Sequence, residues 1–203
     1  MRTKPTYEEL EKEVAELKRK LAEATRDPIT GLYTRAFYNN NIDDVIQNAA
    51  KNKENIGVLF LDIDDFRKVN KTFGHQQGDK ILRDLAKIIN FTIKSSDYVI
   101  RWGGDEILIL LPKAKEDTGK IVTDRITSKI KRKYNPHNKL QIFDNNKNLI
   151  TYSLSVSTGY AYGYHTTKES LESTIQAADK LMREEKNRKK PRSKTTPSII
   201  RYA

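Results

Sequence analysis

A short acidic segment, Arg101-Trp102-Gly103-Gly104-Asp105-Glu106-Ile107, constrains the fold more than any other part of this sequence. Apolar runs flank it, from Tyr98 to Ile100 before it and from Ile107 to Leu111 after it. Two such runs joined by a Gly-Gly dipeptide predict a β-hairpin, because glycine accepts the positive φ that tight hairpin turns need. The hairpin then carries two carboxylates at its turn, where side chains are hard to bury. Alone, this pair is equally typical of a solvated turn.

A second acidic segment, Leu61-Asp62-Ile63-Asp64-Asp65-Phe66, follows a run rich in β-branched and aromatic residues at 56–60. That run predicts a buried strand that ends in carboxylates. Asp62 and Asp64 are two apart, so they point the same way along an extended chain. Beside an acidic hairpin, they predict an oxygen-ligand site for Mg²⁺, and two such ions would hold the attacking and leaving oxygens of a phosphoryl or nucleotidyl transfer. The alternative is a pair of acidic loops at the edge of a sheet.

Further motifs occur in order over residues 27–190. Residues 27–35 read Asp-Pro-Ile-Thr-Gly-Leu-Tyr-Thr-Arg, similar to an opening DxLTGLxNR motif, and residues 61–79 are similar to a DxDxFKxxND-x-GHxxGD block. Ala178-Asp179 and Lys186 follow. Together with the Gly-Gly-Asp-Glu segment, these motifs resemble the GGDEF-domain diguanylate cyclases. The resemblance implies an α/β fold, a palm-like mixed antiparallel sheet flanked by helices as in nucleotide cyclases.

The resemblance also implies a set of metal ligands. Asp62 and Asp105 would hold two Mg²⁺ ions per GTP, together with the backbone carbonyl of Ile63, and Mn²⁺ is an alternative metal. Glu106 would be a metal ligand and a candidate base for the ribose 3′-hydroxyl. These residues are the expected catalytic centre.

The same resemblance implies the residues that bind GTP. Asn70 and Asp79 would select guanine, since a carboxylate accepts from both N1–H and N2–H, which adenine cannot offer, and a site built for such bonds rejects the wrong base. Backbone N–H groups of Phe66 and Arg67 would bind phosphates, and Gly103 and Gly104 would permit close approach of the backbone to the nucleotide. Lys186 would bind phosphate, and Lys190 stands where the family usually has arginine.

The chain departs from the family pattern at several positions. Lys94-Ser95-Ser96-Asp97 stands where the family has the RxxD of its product-inhibition site, so Lys94 and Asp97 predict only a remnant of feedback by cyclic di-GMP. Arg183 and Glu185 replace residues that are usually Tyr and Ala. Ile107 replaces Phe, and Thr34 replaces Asn in the opening motif. No departure removes an expected metal ligand.

The N-terminal segment predicts a separate helix. Thr6-Tyr7-Glu8-Glu9 has the spacing of a capping box. Apolar residues then follow a 3-4 spacing, which predicts a short parallel two-stranded coiled coil and hence a homodimer: Tyr7, Leu10, Val14, Leu17, Leu21 and Ala24. The alternative is a single amphipathic helix packed on its own domain.

Length and composition agree with one main domain and appendages. The 203 residues divide into an N-terminal helix at 1–26, a cyclase domain at 27–190 and a basic tail at 191–203. Cysteine is absent and the net charge is +11, so we expect an anionic partner but no required nucleic acid. No apolar run approaches the roughly 20 residues that span a bilayer, and no signal peptide opens the chain, so we expect a cytoplasmic protein without a membrane partner.

Apolar periodicity predicts the remaining elements. We expect helices at about 35–50, 78–93, 116–133 and 167–187, strands near 56–62 and 140–143, a hairpin at 98–111 and a single half-buried strand at 149–161. Each helix should bury one apolar face, and in chain order these faces are Phe37, Ile42, Val45 and Ile46; Ile81, Leu82, Leu85, Ile88 and Ile89; Ile121, Val122, Ile126 and Ile130; Leu171, Ile175, Ala178 and Met182.

We therefore expect an enzyme that condenses two GTP into cyclic di-GMP and two pyrophosphates. Each domain would bind one GTP, and the active site would form where two domains meet face to face. The alternatives are a catalytically silent regulatory domain that binds GTP or cyclic di-GMP, and a related palm-fold cyclase that makes another cyclic nucleotide.

Overall fold

The computed structural model describes residues 5–134, 140–143 and 149–189. Strands and helices alternate along most of this length, as the sequence predicts. In chain order the elements are α1 (Tyr7–Thr25), β1 (Tyr33–Thr34), α2 (Arg35–Lys51), β2 (Ile56–Ile63), α3 (Phe66–Phe73), α4 (His75–Asn90), β3 (Tyr98–Arg101), β4 (Glu106–Pro112), α5 (Thr118–Lys133), β5 (Leu140–Phe143), β6 (Leu149–Tyr152), β7 (Val156–Gly163) and α6 (Lys168–Lys189).

The main sheet has five strands in the order β1-β3-β4-β2-β7. Strand β2 is central, lies antiparallel to β4 and β7, and is buried along its whole length. The pairing of β3 with β4 is antiparallel, and that of β1 with β3 is parallel, so the sheet is mixed. This arrangement confirms the expected fold class.

Alternation along β2 divides the core into two layers. Leu59, Leu61 and Ile63 pack in the layer that includes α4 and α5. Val58 and Phe60 pack on the opposite face, in the layer that includes α2 and α6. By the same alternation, Asp62 falls on the face that α6 covers, which brings the end of β2 to the C-terminal helix.

The N-terminal helix forms as the sequence predicts. Thr6 caps α1 in a capping box with Glu9, whose backbone N–H donates to Thr6 Oγ1 at 3.2 Å. The apolar side chains Tyr7, Leu10, Val14 and Leu17 are all exposed, with Tyr7 at 77%. Over the described side chains the helix therefore does not bury this face on its own domain; the side chains of Leu21 and Ala24 lie outside that description.

Two element predictions are wrong. Residues 149–161 are not one strand, because β6 pairs with β5 in a separate two-stranded sheet and β7 joins the main sheet. The predicted helix at 78–93 begins earlier, at His75, and is preceded by α3, which the apolar periodicity does not predict. Gly74 separates these helices with a φ of 82°, which glycine accepts at little cost.

Local packing also differs at a few positions. Ile121 is 41% exposed, and its expected place on the buried face of α5 is taken by Gly119. Phe37 is only half-buried and stacks on Tyr33, while Tyr38 enters the core instead. The other predicted core residues of the helices are buried. Within the described residues, no helix is long and apolar enough to cross a membrane.

Candidate active site

Strand register brings the two acidic segments together. Asp62 is the Cα partner of Glu106 at the end of the β2–β4 ladder. Residues directly opposite on antiparallel strands project to the same face, so both side chains lie on the side that α6 covers. A cavity of about 330 Å³ lies there, lined by Asp62, Glu106, Met182, Arg183, Lys186 and Asn187. The predicted meeting of the two acidic segments is thus confirmed.

The hairpin turn uses its glycines differently from the prediction. The backbone N–H groups of Trp102 and Gly103 both donate to the carbonyl of Glu106, at 2.8 and 3.2 Å. The glycines with positive φ in the described chain are Gly31 and Gly74, so the hairpin pair does not supply the expected conformation. At Gly103 the constraint is space, because a Cβ would lie 2.7 Å from Glu106 Oε2. The missing side chain lets the Glu106 carboxylate fold over the loop.

An arginine fixes the tip of the same hairpin. Arg101 donates from Nε and Nη2 to the carbonyl of Gly104, at 3.2 and 2.7 Å. Its Nη1 also lies 2.9 Å from both carboxylate oxygens of Asp27. Burial works to raise the pKa of Asp27, but hydrogen bonds from Thr30 and Arg101 hold it below its usual value. The opening motif therefore has a local purpose, which is to anchor the acidic loop.

Burial shifts the acidic groups of the site. The side chain of Asp62 contacts the ammonium of Lys186, which the resemblance assigns to phosphate binding. Burial raises the pKa of Asp62 despite this contact, and the charge of Asp105 raises it further. The pKa of Asp105 is also raised, chiefly by burial. Burial works to lower the pKa of Lys186, yet its contact with Asp62 raises it overall.

These donors suit a hard cation that brings other ligands with it. Within the described residues, no three His, Asp or Glu side chains converge as a metal-binding group. Asp62 and Asp105 are nonetheless both partly desolvated, and the charge of Asp105 raises the pKa of Asp62, which adjoins Ile63 at the end of β2. Mg²⁺ is usually bound by one or two carboxylates, with water and phosphate oxygens completing its shell. The donor set fits such an ion.

Asp64 belongs to a different network from Asp62. Its carboxylate accepts hydrogen bonds from the hydroxyls of Ser155 and Ser157, at 2.7 and 2.6 Å. The Tyr152 hydroxyl donates to its backbone carbonyl at 2.7 Å. Asp64 thus ties the end of β2 to Ser155, just before β7, and to Ser157 within β7, a role that its i, i+2 spacing from Asp62 does not reveal.

The residues expected to select guanine lie on adjacent helices. Asn70 is on α3 and Asp79 is on α4. Asn70 Oδ1 is buried and has no hydrogen-bond partner among the described residues, so it is available to a ligand. A Cβ at Gly78 would overlap this oxygen, which explains why glycine precedes Asp79.

Phe66 and Arg67 do not lie in an irregular turn. They are the first residues of α3, directly after Asp65, which has a φ of 57°. Their backbone N–H groups are at a helix N-terminus, where N–H groups lack intrahelical acceptors and favour anions. Lys190 and the tail at 191–203 lie outside the described residues.

The two residues that remain of the inhibitory motif, Lys94 and Asp97, contact each other. Asp97 Oδ2 accepts from the backbone N–H of Lys94 at 2.8 Å. Burial raises the pKa of Asp97. The aspartate therefore stabilises its own turn, and the Lys94 residue is exposed.

The two departures on α6 make contacts that the sequence prediction missed. Arg183 Nε lies 2.9 Å from both carboxylate oxygens of Asp179, one turn earlier. Glu185 Oε2 accepts from the backbone N–H of Thr158 at 2.6 Å, and its other oxygen pairs with Lys189. The i, i+4 spacing of both ion pairs was a usable signal. The Thr158 contact joins α6 to β7, and no sequence pattern indicates it.

Comparison with known proteins places these features in context. The family model for the diguanylate cyclase GGDEF domain matches residues 24–192. The chain is 33% identical to diguanylate cyclase DosC of Escherichia coli over 160 residues, or 79% of this chain and 32% of that protein. It is 31% identical to diguanylate cyclase A of Treponema denticola over 141 residues, or 70% of this chain and 35% of that protein. The chain thus spans about a third of the length of these relatives.

Solved structures show the same architecture. The coiled coil and GGDEF domain of DgcB from Caulobacter crescentus, in complex with c-di-GMP, superposes with a TM-score of 0.74 at 24% identity, over 89% of this chain and 90% of that one. The GGDEF domain of TpbB (YfiN) from Pseudomonas aeruginosa gives a TM-score of 0.65 at 29% identity, over 80% of this chain and 89% of that one.

Asp105→Asn should stabilise the metal-free protein. Burial raises the pKa of Asp105, so its ionised form destabilises the folded state at pH values above that pKa, and an amide removes this cost. As the pH falls below that raised pKa the difference should shrink, and it should vanish only below the ordinary pKa of an unfolded-state Asp, where the carboxyl group is neutral in both states. In EDTA at neutral pH we therefore expect a higher Tm for Asp105→Asn than for the parent protein.

Thermal melts of both proteins from neutral to acidic pH would check this expectation. The exposed Glu116→Gln is a matched control that should change Tm little at any pH. A lower Tm for Asp105→Asn at neutral pH would contradict the assignment of Asp105 as a destabilised, site-forming charge.

Proposed function

The chain belongs to the GGDEF-domain diguanylate cyclase family, and from that premise we propose that it condenses two GTP into cyclic di-GMP with release of two pyrophosphates. The observation that carries the proposal is the pairing of Asp62 with Glu106 at the ends of β2 and β4, with Asp105 beside them and Lys186 on the same face. A partly buried cluster of carboxylates at strand ends is costly to folding and adds nothing to the packing of the core, which indicates chemistry.

Metal binding follows from the donor set. Asp62, Asp105 and the carbonyl of Ile63 would hold Mg²⁺, with Mn²⁺ as an alternative. Bound there, the metal would supply Lewis-acid stabilisation of charge on the reacting phosphate and on the pyrophosphate that leaves. The protein's own residues supply the position of that charge, because strand register and the Arg101 contacts fix the carboxylates before any ligand arrives.

Glu106 is the proposed base. Its carboxylate folds over Gly103, and Glu106 lines the same cavity as Lys186. It would accept the proton from the 3′-hydroxyl as that oxygen attacks the α-phosphorus of a facing GTP. The new bond is the 3′–5′ phosphodiester, and the electron pair of the broken bond leaves with pyrophosphate.

Helices α3 and α4, which carry Asn70 and Asp79, would bind the nucleotide. Asn70 Oδ1 is a buried acceptor without a partner among the described residues. Asp79 directly follows Gly78, whose missing side chain leaves room for that Asn70 oxygen. Guanine offers N1–H and N2–H to such acceptors. The first turn of α3, at Phe66 and Arg67, would direct backbone N–H groups toward phosphate.

The reaction needs two domains, so we propose that the protein works as a homodimer. Each domain would bring one GTP, and holding two nucleotides in register supplies a high effective molarity. The exposed apolar face of α1, at Tyr7, Leu10, Val14 and Leu17, supports a coiled-coil contact that keeps two domains near each other.

Product analysis tests the proposal directly. The pure protein would be incubated with Mg²⁺ and GTP, ATP or both, and products identified by mass spectrometry. We expect cyclic di-GMP from GTP alone. A folded parent protein that binds GTP but forms no product would instead favour a silent regulatory domain, while a mixed or adenine-containing product would indicate a different cyclase. Asp105→Asn should abolish product formation.

Asp79→Ser should loosen the choice of base. The carboxylate that faces N1–H and N2–H is lost, and a site without that demand no longer penalises adenine strongly. We expect the ratio of kcat/KM for GTP over ATP to fall by at least about tenfold, since one charged hydrogen bond is worth roughly 1.5–3 kcal/mol. Steady-state kinetics on both nucleotides would measure this ratio. An unchanged ratio would move base selection elsewhere.

Specific activity should rise with protein concentration until dimers saturate. The coil is short, so we expect a dimer with a Kd of about micromolar or weaker. Replacing Leu10, Val14 and Leu17 with glutamine should lower activity at low concentration and matter less at high concentration. Lys12→Gln, exposed on the other side of α1, is the matched control.

Sedimentation and activity measured over one dilution series would decide the assembly. Activity per subunit that stays constant while the protein sediments as a monomer would contradict the shared active site. Loss of activity in the Lys12→Gln control would contradict the role of the apolar face.

A further inference from the structure

Arg183 differs from the other charged residues of the site because only one of its three guanidinium nitrogens makes a hydrogen bond among the described residues. It lies one turn before Lys186 on α6, and both residues line the cavity that holds Asp62 and Glu106. The ammonium of Lys186 is already engaged by Asp62. The described hydrogen bonds of Arg183 run through Nε alone, to Asp179. Within the described part of the chain, its two terminal nitrogens remain available as donors.

Asp179 orients this arginine rather than burying it. The Arg183 side chain is 65% exposed, and that of Asp179 is 28% exposed. Two contacts to Nε, both at 2.9 Å, hold one edge of the guanidinium against α6. The opposite edge carries the terminal nitrogens, in the planar geometry that matches phosphate.

The surroundings of Arg183 connect it to the catalytic carboxylates. Arg183 also lines a second cavity of about 290 Å³, together with residues that include Glu106, Asp179 and Trp102. Asp179 raises the pKa of Arg183 most, and the charges of Glu106 and Asp62 raise it further. Arg183 thus lines both of the cavities that Glu106 lines, on the side of the site where Lys186 contacts Asp62.

We propose that Arg183 is an additional substrate-binding residue that grips the phosphates of GTP beyond the α-phosphate, alongside Lys186. This inference rests on the proposed function. The family's usual residue at this position is Tyr, which has no charge to offer, so the contact is a property of this chain. A second cation one helical turn from Lys186 lets the site hold the pyrophosphate unit from two directions.

Binding without turnover tests the proposal. The probe is 3′-deoxyGTP, which lacks the attacking hydroxyl, with 3′-deoxyGMP as the matched ligand that lacks the outer phosphates; both are titrated calorimetrically with Mg²⁺ present. Arg183→Gln should weaken 3′-deoxyGTP by about five- to tenfold, because a charged hydrogen bond at an exposed site is worth about 1 kcal/mol or somewhat more. The affinity for 3′-deoxyGMP should change by less than about twofold.

The control is Arg188→Gln, which removes the same charge from an exposed position on the same helix outside both cavities. It should alter neither affinity, which separates a specific contact from the general attraction of a basic helix. Arg183→Tyr, the family's residue, should bind the triphosphate as weakly as Arg183→Gln while still forming product at saturating GTP.

Other outcomes overturn the proposal. Equal affinity of Arg183→Gln and the parent for 3′-deoxyGTP would remove Arg183 from the site, and an equal loss for both probes would show that it acts through Asp179 and local shape. Either result leaves the proposed function intact if the parent still makes cyclic di-GMP. A parent that binds no 3′-deoxyGTP and makes no product would overturn both.

Discussion

The register between β2 and β4 is the constraint on which the rest of the site depends. Because side chains alternate along a strand, a slip of one residue would turn Asp62 away from α6 and move the apolar residues beside it into the opposite core layer. The core prevents such a slip, since the residues that alternate with the site pack in two separate layers on either side of the sheet. The position of the acidic centre along the strands is thus set by hydrophobic burial several residues away.

The position of charge around this centre is also determined by packing. Asp62 is only 6% exposed and its pKa is raised by burial, so it would be costly without the nearby ammonium of Lys186. The same helix supplies further ion pairs, between Arg183 and Asp179 and between Lys189 and Glu185. Helix α6 therefore does two jobs at once: its apolar face fills one core layer, and its polar face balances the acids at the strand ends.

Much of this arrangement is visible in the sequence, for identifiable reasons. The alternating strands and the apolar faces of α2, α4 and α6 follow from period and composition, and Asp62 and Glu106 are marked by the motifs around them. The division of 149–161 between two sheets is not visible, because alternation continues across the break and only tertiary pairing separates β6 from β7. The use of Gly103 for space could not be read either, since a Gly-Gly pair at a turn indicates positive φ first. Contacts between distant segments, such as Glu185 with Thr158, leave no local pattern at all.

Arg101 joins the tip of the acidic loop to Asp27, directly after the connection from α1. Two partners that share one side chain are thermodynamically linked. To the extent that an occupant of the site shifts the arrangement of the residues that follow α1, that arrangement changes the affinity for the occupant by the same free energy. The converse holds for whatever orients α1 in a longer protein or in a dimer. Helix α1, which lines neither of the two cavities at the site, thereby has a route for changing how well the site receives a nucleotide, and the strength of that influence is limited by how firmly Arg101 holds both ends.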